Sequence, residues 1–220
     1  MPRERQEIFR ESAIKNKEKI IVLAFEGNDT EDIYFRALQA DELFNDSLVH
    51  LYLLTRNKDD TNSAPKHVFN KLKKEAKDEY NFDKNDELWM IIDKDRWKGI
   101  SEIVKQCKEQ GNMFVACSNP CFEIWLLFHI EDIPALSDED KTNLLANKRI
   151  SKSKSSKRFI EKYPEEKLND GYNKSNPKPE RFLPHTQTAI RQARLFDVDG
   201  EDIPPGIGSH VYKIVEKIIK

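Results

Sequence analysis

The sequence predicts an α/β fold with a parallel sheet, and two patterns support this. From residue 19 onwards, apolar runs typical of strands buried on both faces alternate with segments whose apolar residues recur at helical spacing. Helix-length connections between consecutive strands are the right-handed crossovers of a parallel sheet. The 220 residues suffice for one sizeable domain. We expect a charged leader at 1–18, an α/β core at 19–130, and a helical extension at 131–220 that packs on the core.

The first half of the core contains two strands and two helices. The strand predicted at 19–25 is a continuous run of mostly branched residues, and a turn at Gly27 follows it. Asp29 or Thr30 can cap the helix that comes next. The second strand is predicted at 48–54. Its helix opens at 63–65, where Pro65 is tolerated in the first turn.

The second half of the core repeats this alternation. A third apolar strand is predicted at 88–92, and the helix after it begins near Gly99 and ends at Gly111. The fourth strand is predicted at 113–117. The strongly apolar segment 122–129 is expected to form a mostly buried helix.

The pattern changes beyond residue 130. Ser137 and Asp140 have the spacing of a helix N-terminal capping box. The stretch 163–184 contains four prolines and predicts a long surface loop. Two helices near 186–196 and 209–219 are expected to close the extension.

Composition and charge narrow the class of protein. The net charge is −2, so a basic surface for nucleic acid would have to be local. No apolar run approaches the roughly 20 residues of a membrane-spanning helix, and the first residues lack the apolar core of a secretion signal. Three cysteines, at 107, 117 and 121, do not make a disulfide framework, and we expect them to be small buried residues. These features predict a cytoplasmic protein.

In parallel sheets, ligands bind at the carboxyl ends of the strands. Polar residues follow the predicted strands at these ends. They are Glu26, Asp93, Asp95, Ser118 and Asn119. Carboxylates brought close together repel each other unless a cation lies between them, and Mg²⁺ prefers oxygen ligands. A hydrated divalent ion held in this way suits phosphoryl chemistry. The other interpretation is that these are ordinary acidic turn residues.

Three blocks of sequence carry a resemblance to a known family. They read Phe25-Glu26-Gly27-x-x-Thr30-Glu31-x-x-Tyr34-Phe35, Ile91-Ile92-Asp93-x-Asp95, and Ser118-Asn119-Pro120-x-Phe122-Glu123-x-Trp125-Leu126-Leu127-x-His129. In this order and at these separations they resemble the RloB family. That family is similar to the Toprim fold of topoisomerases, primases and overcoming-lysogenisation-defect nucleases. The resemblance implies a Toprim-like (Rossmann-like) core.

The resemblance also implies roles for individual residues. Glu26 matches the Toprim glutamate, which implies general acid/base catalysis with metal contact. Asp93 and Asp95 match the Toprim Asp-x-Asp and are implied ligands of Mg²⁺, with Mn²⁺ as an alternative. Glu123 lies one turn into a helix at the end of the fourth strand, so it either reaches the site as a further catalytic group or complements the helix N-terminus. Further candidates for the rim of the site are Gly27, Lys94, Arg96, Ser118 and Asn119.

Two groups of basic residues could contact a nucleic-acid backbone. The stretch 148–158 contains six basic residues and no acidic one, and a second group follows the predicted strand ends around the acidic site. Candidate contacts in the two groups are Arg56, Lys98, Lys152, Lys154, Lys157 and Arg158. The stretch 148–158 could equally be a solvated loop.

Three functions compete. The first is a Mg²⁺-dependent nuclease that cleaves DNA or RNA, which the resemblance places in phage defence through abortive infection or restriction. The second is a non-catalytic sensor or binding subunit of a defence complex. The third is a small-molecule phosphohydrolase of the haloacid-dehalogenase type. The expected partners are nucleic acid, a defence ATPase and a second copy of the chain, with no membrane.

Overall fold

A five-stranded sheet lies at the centre of the structure. The structure is a computed structural model, and it describes residues 19–27, 29–54, 65–79 (75–79 as backbone alone), 85–94, 97, 99–153, 156–168 and 171–220. The strands are β1 (Lys19–Phe25), β2 (Val49–Leu54), β3 (Glu87–Asp93), β4 (Met113–Asn119) and β5 (Gly208–Ser209). Their order is β2-β1-β3-β4-β5, with β1 to β4 parallel and β5 antiparallel to β4. The predicted α/β fold with a parallel sheet is confirmed. The predicted leader at 1–18 lies outside the described residues.

Helices cover both faces of the sheet. They are α1 (Thr30–Ala40), α2 (Pro65–Glu79), α3 (Ile100–Gln110), α4 (Glu123–Ile130), α5 (Asp138–Ala146), α6 (Phe159–Lys167), α7 (Thr186–Leu195) and α8 (Val211–Ile218). Alternate residues of β1 enter opposite cores, because successive side chains of a strand point to opposite faces. Ile21 and Leu23 join the core formed with α1, α4, α7 and α8. Val22 and Ala24 join the smaller core formed with α2 and α3. Burial on both faces explains why these strands read as continuous apolar runs.

The extension takes part in the sheet and in its larger core. β5 pairs with the end of β4 through Ser118 and Ser209, so β4 runs two residues beyond its predicted end. The two closing helices are confirmed as α7 and α8, and buried residues of both belong to the larger core. Residues far along the chain thus extend the sheet beside the carboxyl end of β4, where predicted site residues lie.

One prediction for the extension is wrong and another is confirmed. The stretch 163–184 is not a continuous loop, because α6 continues to Lys167 with Pro164 inside it. Pro164 and Ile160 are both buried, and this packing outweighs the backbone hydrogen bond that proline cannot make. The capping prediction is confirmed, since the Ser137 hydroxyl accepts a hydrogen bond from the Asp140 backbone N–H at 3.0 Å.

The three cysteines are buried free thiols, as predicted. Burial raises the pKa of the Cys107 thiol to about 12, which makes it an unreactive core residue. Within the described part of the chain, no helix has both the length and the apolar character needed to cross a bilayer.

Candidate active site

The ends of β1 and β3 bring Glu26 and Asp93 together. The two strands are neighbours in the sheet, with Phe25 opposite Ile91. The Glu26 backbone N–H donates to the Ile91 carbonyl at 3.0 Å, and the Asp93 backbone N–H donates to Glu26 Oε2, also at 3.0 Å. The prediction that these two residues lie at the carboxyl ends of parallel strands is confirmed. Its physical basis is that parallel strands have their carboxyl ends at the same edge.

The second oxygen of Glu26 is held by Trp97. The indole Nε1–H donates to Glu26 Oε1 at 2.5 Å, while the Trp97 side chain is partly exposed. Trp97 therefore orients the carboxylate from the solvent side. With both oxygens accepting hydrogen bonds, the Glu26 carboxylate has a fixed orientation.

Asp93 connects the strand end to the start of α4. Its Oδ1 accepts a hydrogen bond from the Phe122 backbone N–H at 2.8 Å, directly before the helix. The first N–H groups of a helix lack intrahelical partners and favour a negative charge nearby. This contact also brings Glu123, the first residue of α4, to the same edge of the sheet, where it is buried.

Glu31 is a fourth carboxylate of the site that the sequence analysis did not assign. It lies in the first turn of α1 and is buried. Its carboxylate packs directly against Gly27, where a Cβ would lie 2.3 Å from Glu31 Oε2. Gly27, a predicted rim residue, thus leaves the space that the Glu31 carboxylate occupies. The only sequence signal was the place of Glu31 in the Thr30-Glu31 motif.

Lys174 adds a positive charge that the sequence analysis also missed. Its Nζ lies 2.7 Å from Glu123 Oε1 and 3.4 Å from Glu161 Oε1 on α6. It belongs to the proline-rich stretch 163–184, and nothing in the local sequence indicates contact with Glu123. The structure therefore contains an ion pair between a partly exposed lysine and a buried carboxylate at this edge of the sheet.

The electrostatics of these groups follow from burial and from their mutual repulsion. Removal from water raises the pKa of Asp93 well above its ordinary value, and the negative charges of Glu31, Glu123 and Glu26 raise it further. Burial, joined by repulsion from Glu123 and Glu26, raises the pKa of Glu31 from 4.5 to about 7. Burial alone would raise the pKa of Glu123 as well, but the charge of the Lys174 ammonium, together with hydrogen bonds from Cys121, Lys174 and the Glu123 backbone, lowers that pKa overall. Of Glu31, Asp93 and Glu123, it is therefore Glu123 that carries its charge most readily.

The donor chemistry of this cluster suits a hard divalent cation. Glu26, Glu31, Asp93 and Glu123 offer oxygen ligands alone, and their repulsion is of the kind that a cation relieves. Among the described residues, however, no group of three His, Cys, Asp or Glu side chains is arranged to hold an ion. Asp95 lies outside those residues. The assignment of Mg²⁺ or Mn²⁺ to Asp93, Asp95 and Glu26 stays a prediction.

The other predicted rim residues mostly contact the extension. Lys94 Nζ donates to the backbone carbonyls of Pro204 at 3.2 Å and Pro205 at 3.4 Å. The Asn119 side-chain amide donates to the same Pro204 carbonyl at 2.9 Å, and the Ser118 hydroxyl lies 2.8 Å from that of Ser209. Both Ser118 and Asn119 are buried. The structure thus shows them joining β4 to the extension.

The basic stretch 148–158 is partly folded. An antiparallel bridge joins Arg149 to Arg158, and Arg158 Nη1 donates to the Asn147 carbonyl at 3.3 Å. Lys157 Nζ lies 2.5 Å from Glu165 Oε1, whereas Lys152 is exposed. The remaining predicted contacts lie outside the described residues, together with the rim candidate Arg96. They are Arg56, Lys98 and Lys154.

His129 has a structural environment. It is buried, its Nδ1–H donates to the Trp125 carbonyl at 2.8 Å, and its Nε2 accepts from the Tyr34 hydroxyl at 3.2 Å. Burial lowers the pKa of His129 to about 3, so the ring is neutral. A neutral ring with both nitrogens engaged in the core is a packing element.

Comparison with known proteins identifies a family. The family described as RloB-like protein matches residues 21–218, which is nearly the whole chain. No curated protein and no solved structure matches the chain.

Proposed function

We propose that this chain, which belongs to the RloB-like protein family, is a metal-dependent nuclease that cleaves phosphodiester bonds in DNA or RNA. We extend the proposal to a role in phage defence, in abortive infection or beside a restriction system, with an ATPase as partner. One observation carries the enzymatic part. Four carboxylates, Glu26, Glu31, Asp93 and Glu123, are gathered at the carboxyl edge of a parallel sheet, where enzymes of this architecture bind ligands.

The clustering is costly to the free protein, and this supports a functional origin. Like charges in a partly buried site disfavour ionisation, as the raised pKa values of Glu31 and Asp93 reflect. Perturbed carboxylates in a cluster are characteristic of functional sites.

Glu26, Glu31 and Asp93, with the predicted ligand Asp95, have distinct parts in the proposed reaction. Asp93 and Asp95 would hold Mg²⁺, which when bound stabilises negative charge on the phosphoryl group and lowers the pKa of bound water. Glu26, fixed by the Asp93 backbone N–H and the Trp97 indole, is oriented to exchange a proton with the attacking water or the leaving oxygen. Glu31 lies against Gly27 and supplies further negative charge for a cation.

A cleavage assay tests the proposal. Plasmid DNA, single-stranded DNA and total tRNA would be incubated with the protein in Mg²⁺, in Mn²⁺ and in EDTA, with p-nitrophenyl phosphate as a small-molecule substrate. We expect the protein to cleave at least one of these nucleic acids, and only when a divalent metal ion is present. Hydrolysis of p-nitrophenyl phosphate alone would instead support a phosphohydrolase.

Asp93→Asn is the matched variant for this assay. Its side-chain oxygen can still accept the hydrogen bond from the Phe122 N–H, so the fold should persist, and relief of repulsion should leave the melting temperature equal or higher. Activity should be lost because the charge is gone. If Asp93→Asn unfolds, the acidic pair Asp93 and Asp95 has a structural role. If Asp93→Asn cleaves at the wild-type rate, the assignment of the site is contradicted.

A second function, a non-catalytic subunit of a defence complex, has one observation in its favour. Lys174 already supplies a cation to Glu123, and no three-ligand group is present in the described part of the site. Calorimetry with Mg²⁺ separates the two functions. A nuclease should bind the ion through Asp93, and a non-catalytic subunit should neither bind it nor cleave.

A further inference from the structure

A tight turn at residues 173–176 fixes the backbone of Lys174. The Asn176 backbone N–H donates to the Asn173 carbonyl at 3.0 Å, which closes the turn. The Thr30 hydroxyl donates to the Lys174 carbonyl at 2.9 Å, and the Ser175 hydroxyl donates to Asp29 Oδ2 at 3.2 Å. Lys174 is therefore attached to the start of α1, the helix that carries Glu31.

The Lys174 side chain differs in exposure from the carboxylate that it contacts. The side chain of Glu123 is 4% exposed, while that of Lys174 is 42% exposed. An ammonium group has three N–H donors, and the described residues engage it through the carboxylates of Glu123 and Glu161. The Lys174 side chain is thus partly exposed at the edge of the site, while two carboxylates hold its ammonium group.

Tyr172 provides a second polar group beside the same carboxylates. Its hydroxyl is buried and has no hydrogen-bond partner among the residues that the structure describes. Burial, followed by the negative charge of Glu123, raises the pKa of Tyr172 well above its ordinary value, so the hydroxyl keeps its proton. A buried hydroxyl without a partner is unfavourable, which indicates that a further acceptor completes this place.

Phosphate is an acceptor of suitable chemistry. Its non-bridging oxygens carry negative charge, and a lysine ammonium group binds them as a compact point charge. The carboxylates by themselves repel a phosphodiester, so a substrate that reaches them requires a positive group beside them.

We infer that Lys174 is a substrate-binding residue of this site, held by Glu123 and by the 173–176 turn so that its partly exposed side chain contacts a phosphate oxygen of a nucleic-acid backbone. The inference rests on the proposed nuclease function and adds to it a contact made by the extension. The role of Glu123 follows from it: Glu123 orients the lysine.

Binding of 20-nucleotide single-stranded DNA and RNA tests the inference, measured by fluorescence anisotropy in EDTA over a series of salt concentrations. Lys174→Met should weaken the affinity about tenfold, which is typical for loss of one charged hydrogen bond. It should also reduce the slope of log K against log salt by about 0.7, the value for one phosphate contact on a single strand. Lys174→Arg should keep most of both.

Two variants exclude indirect effects. Lys167→Met is the matched control, since Lys167 also belongs to the extension and pairs with the mostly buried Glu131 at 3.0 Å. It should leave the affinity and the salt slope unchanged. Glu123→Gln combined with Lys174→Met removes both charges of the pair and should recover any melting temperature lost by Lys174→Met alone, with binding still weak.

The outcomes separate this inference from the proposed function. If the wild-type protein cleaves in Mg²⁺ and Lys174→Met equals it in affinity and in salt slope, the inference alone is overturned. Wild-type protein that cleaves but does not bind in EDTA also overturns it, because the lysine contact requires no metal. Wild-type protein that neither binds nor cleaves overturns the proposed function and the inference together.

Discussion

The buried carboxyl of Glu31 makes the stability of the protein depend on pH in an unusual direction. Its pKa is raised from 4.5 to about 7, first by burial and then by repulsion from Glu123 and Glu26. Between these two pH values, the folded protein holds a proton that the unfolded chain has released. The free energy of unfolding therefore falls as the pH rises through this range, and the stabilising contribution is present in full only below pH 4.5.

The size of the effect follows from the same two values. Moving a carboxyl pKa from 4.5 to about 7 corresponds to roughly 3 kcal/mol of lost stability above pH 7. Glu31→Gln carries no charge at any pH and avoids this loss. For a chain of this size, roughly 3 kcal/mol corresponds to about 6–12 °C in melting temperature.

Thermal melts of metal-free protein in EDTA measure this directly. Glu31→Gln should melt above the wild type by about 6–12 °C at pH 8, and the two proteins should converge near pH 4.5. Glu109→Gln, at an exposed position of α3, is the matched control and should follow the wild type throughout. If Glu31→Gln melts at or below the wild-type temperature at pH 8, burial and repulsion do not raise the pKa of Glu31 as the structure implies.

Two further substitutions test other parts of the site. Gly27→Ala should displace the Glu31 carboxylate, because the new Cβ would meet it at 2.3 Å. The displaced atoms are the end of a flexible side chain, so circular dichroism should show an intact fold. Nuclease activity should fall at least tenfold. Unchanged activity would show that the position of Glu31 is not critical. Lys152→Gln tests the exposed part of the basic stretch, and a contact with single-stranded nucleic acid predicts a salt slope lower by about 0.7. An unchanged slope would mean that Lys152 belongs to a solvated loop.

The pattern of apolar residues was sufficient to predict the core and part of the site. Strands buried on both faces read as apolar runs, and the order of strands and helices implies that their carboxyl ends share one edge. The position of Glu26 and Asp93 at the same edge followed from this rule, whereas the pairing of β1 with β3, which makes them neighbours, is a finding of the structure.

Other site residues required contacts between distant parts of the chain. Glu31 looked like an ordinary acidic residue in the first turn of a helix, and its burial depends on the space left by Gly27. Lys174 lies in a proline-rich stretch without periodicity, and its backbone is fixed by Thr30, which is 144 residues away in sequence. The helix through Pro164 was missed for a similar reason, since burial of its side chains outweighed the local preference of proline.

The sequence by itself determined the four parallel strands, the alternation of strands and helices along the chain and the edge at which acidic residues collect, because these depend on the pattern of side chains within each element. Only the tertiary structure decided which carboxylates are buried together and which ammonium group neutralises one of them. The physical reason is that pKa values and ion pairs depend on distances between side chains from separate elements. In this protein those distances are set by where the extension folds back against α1 and α4.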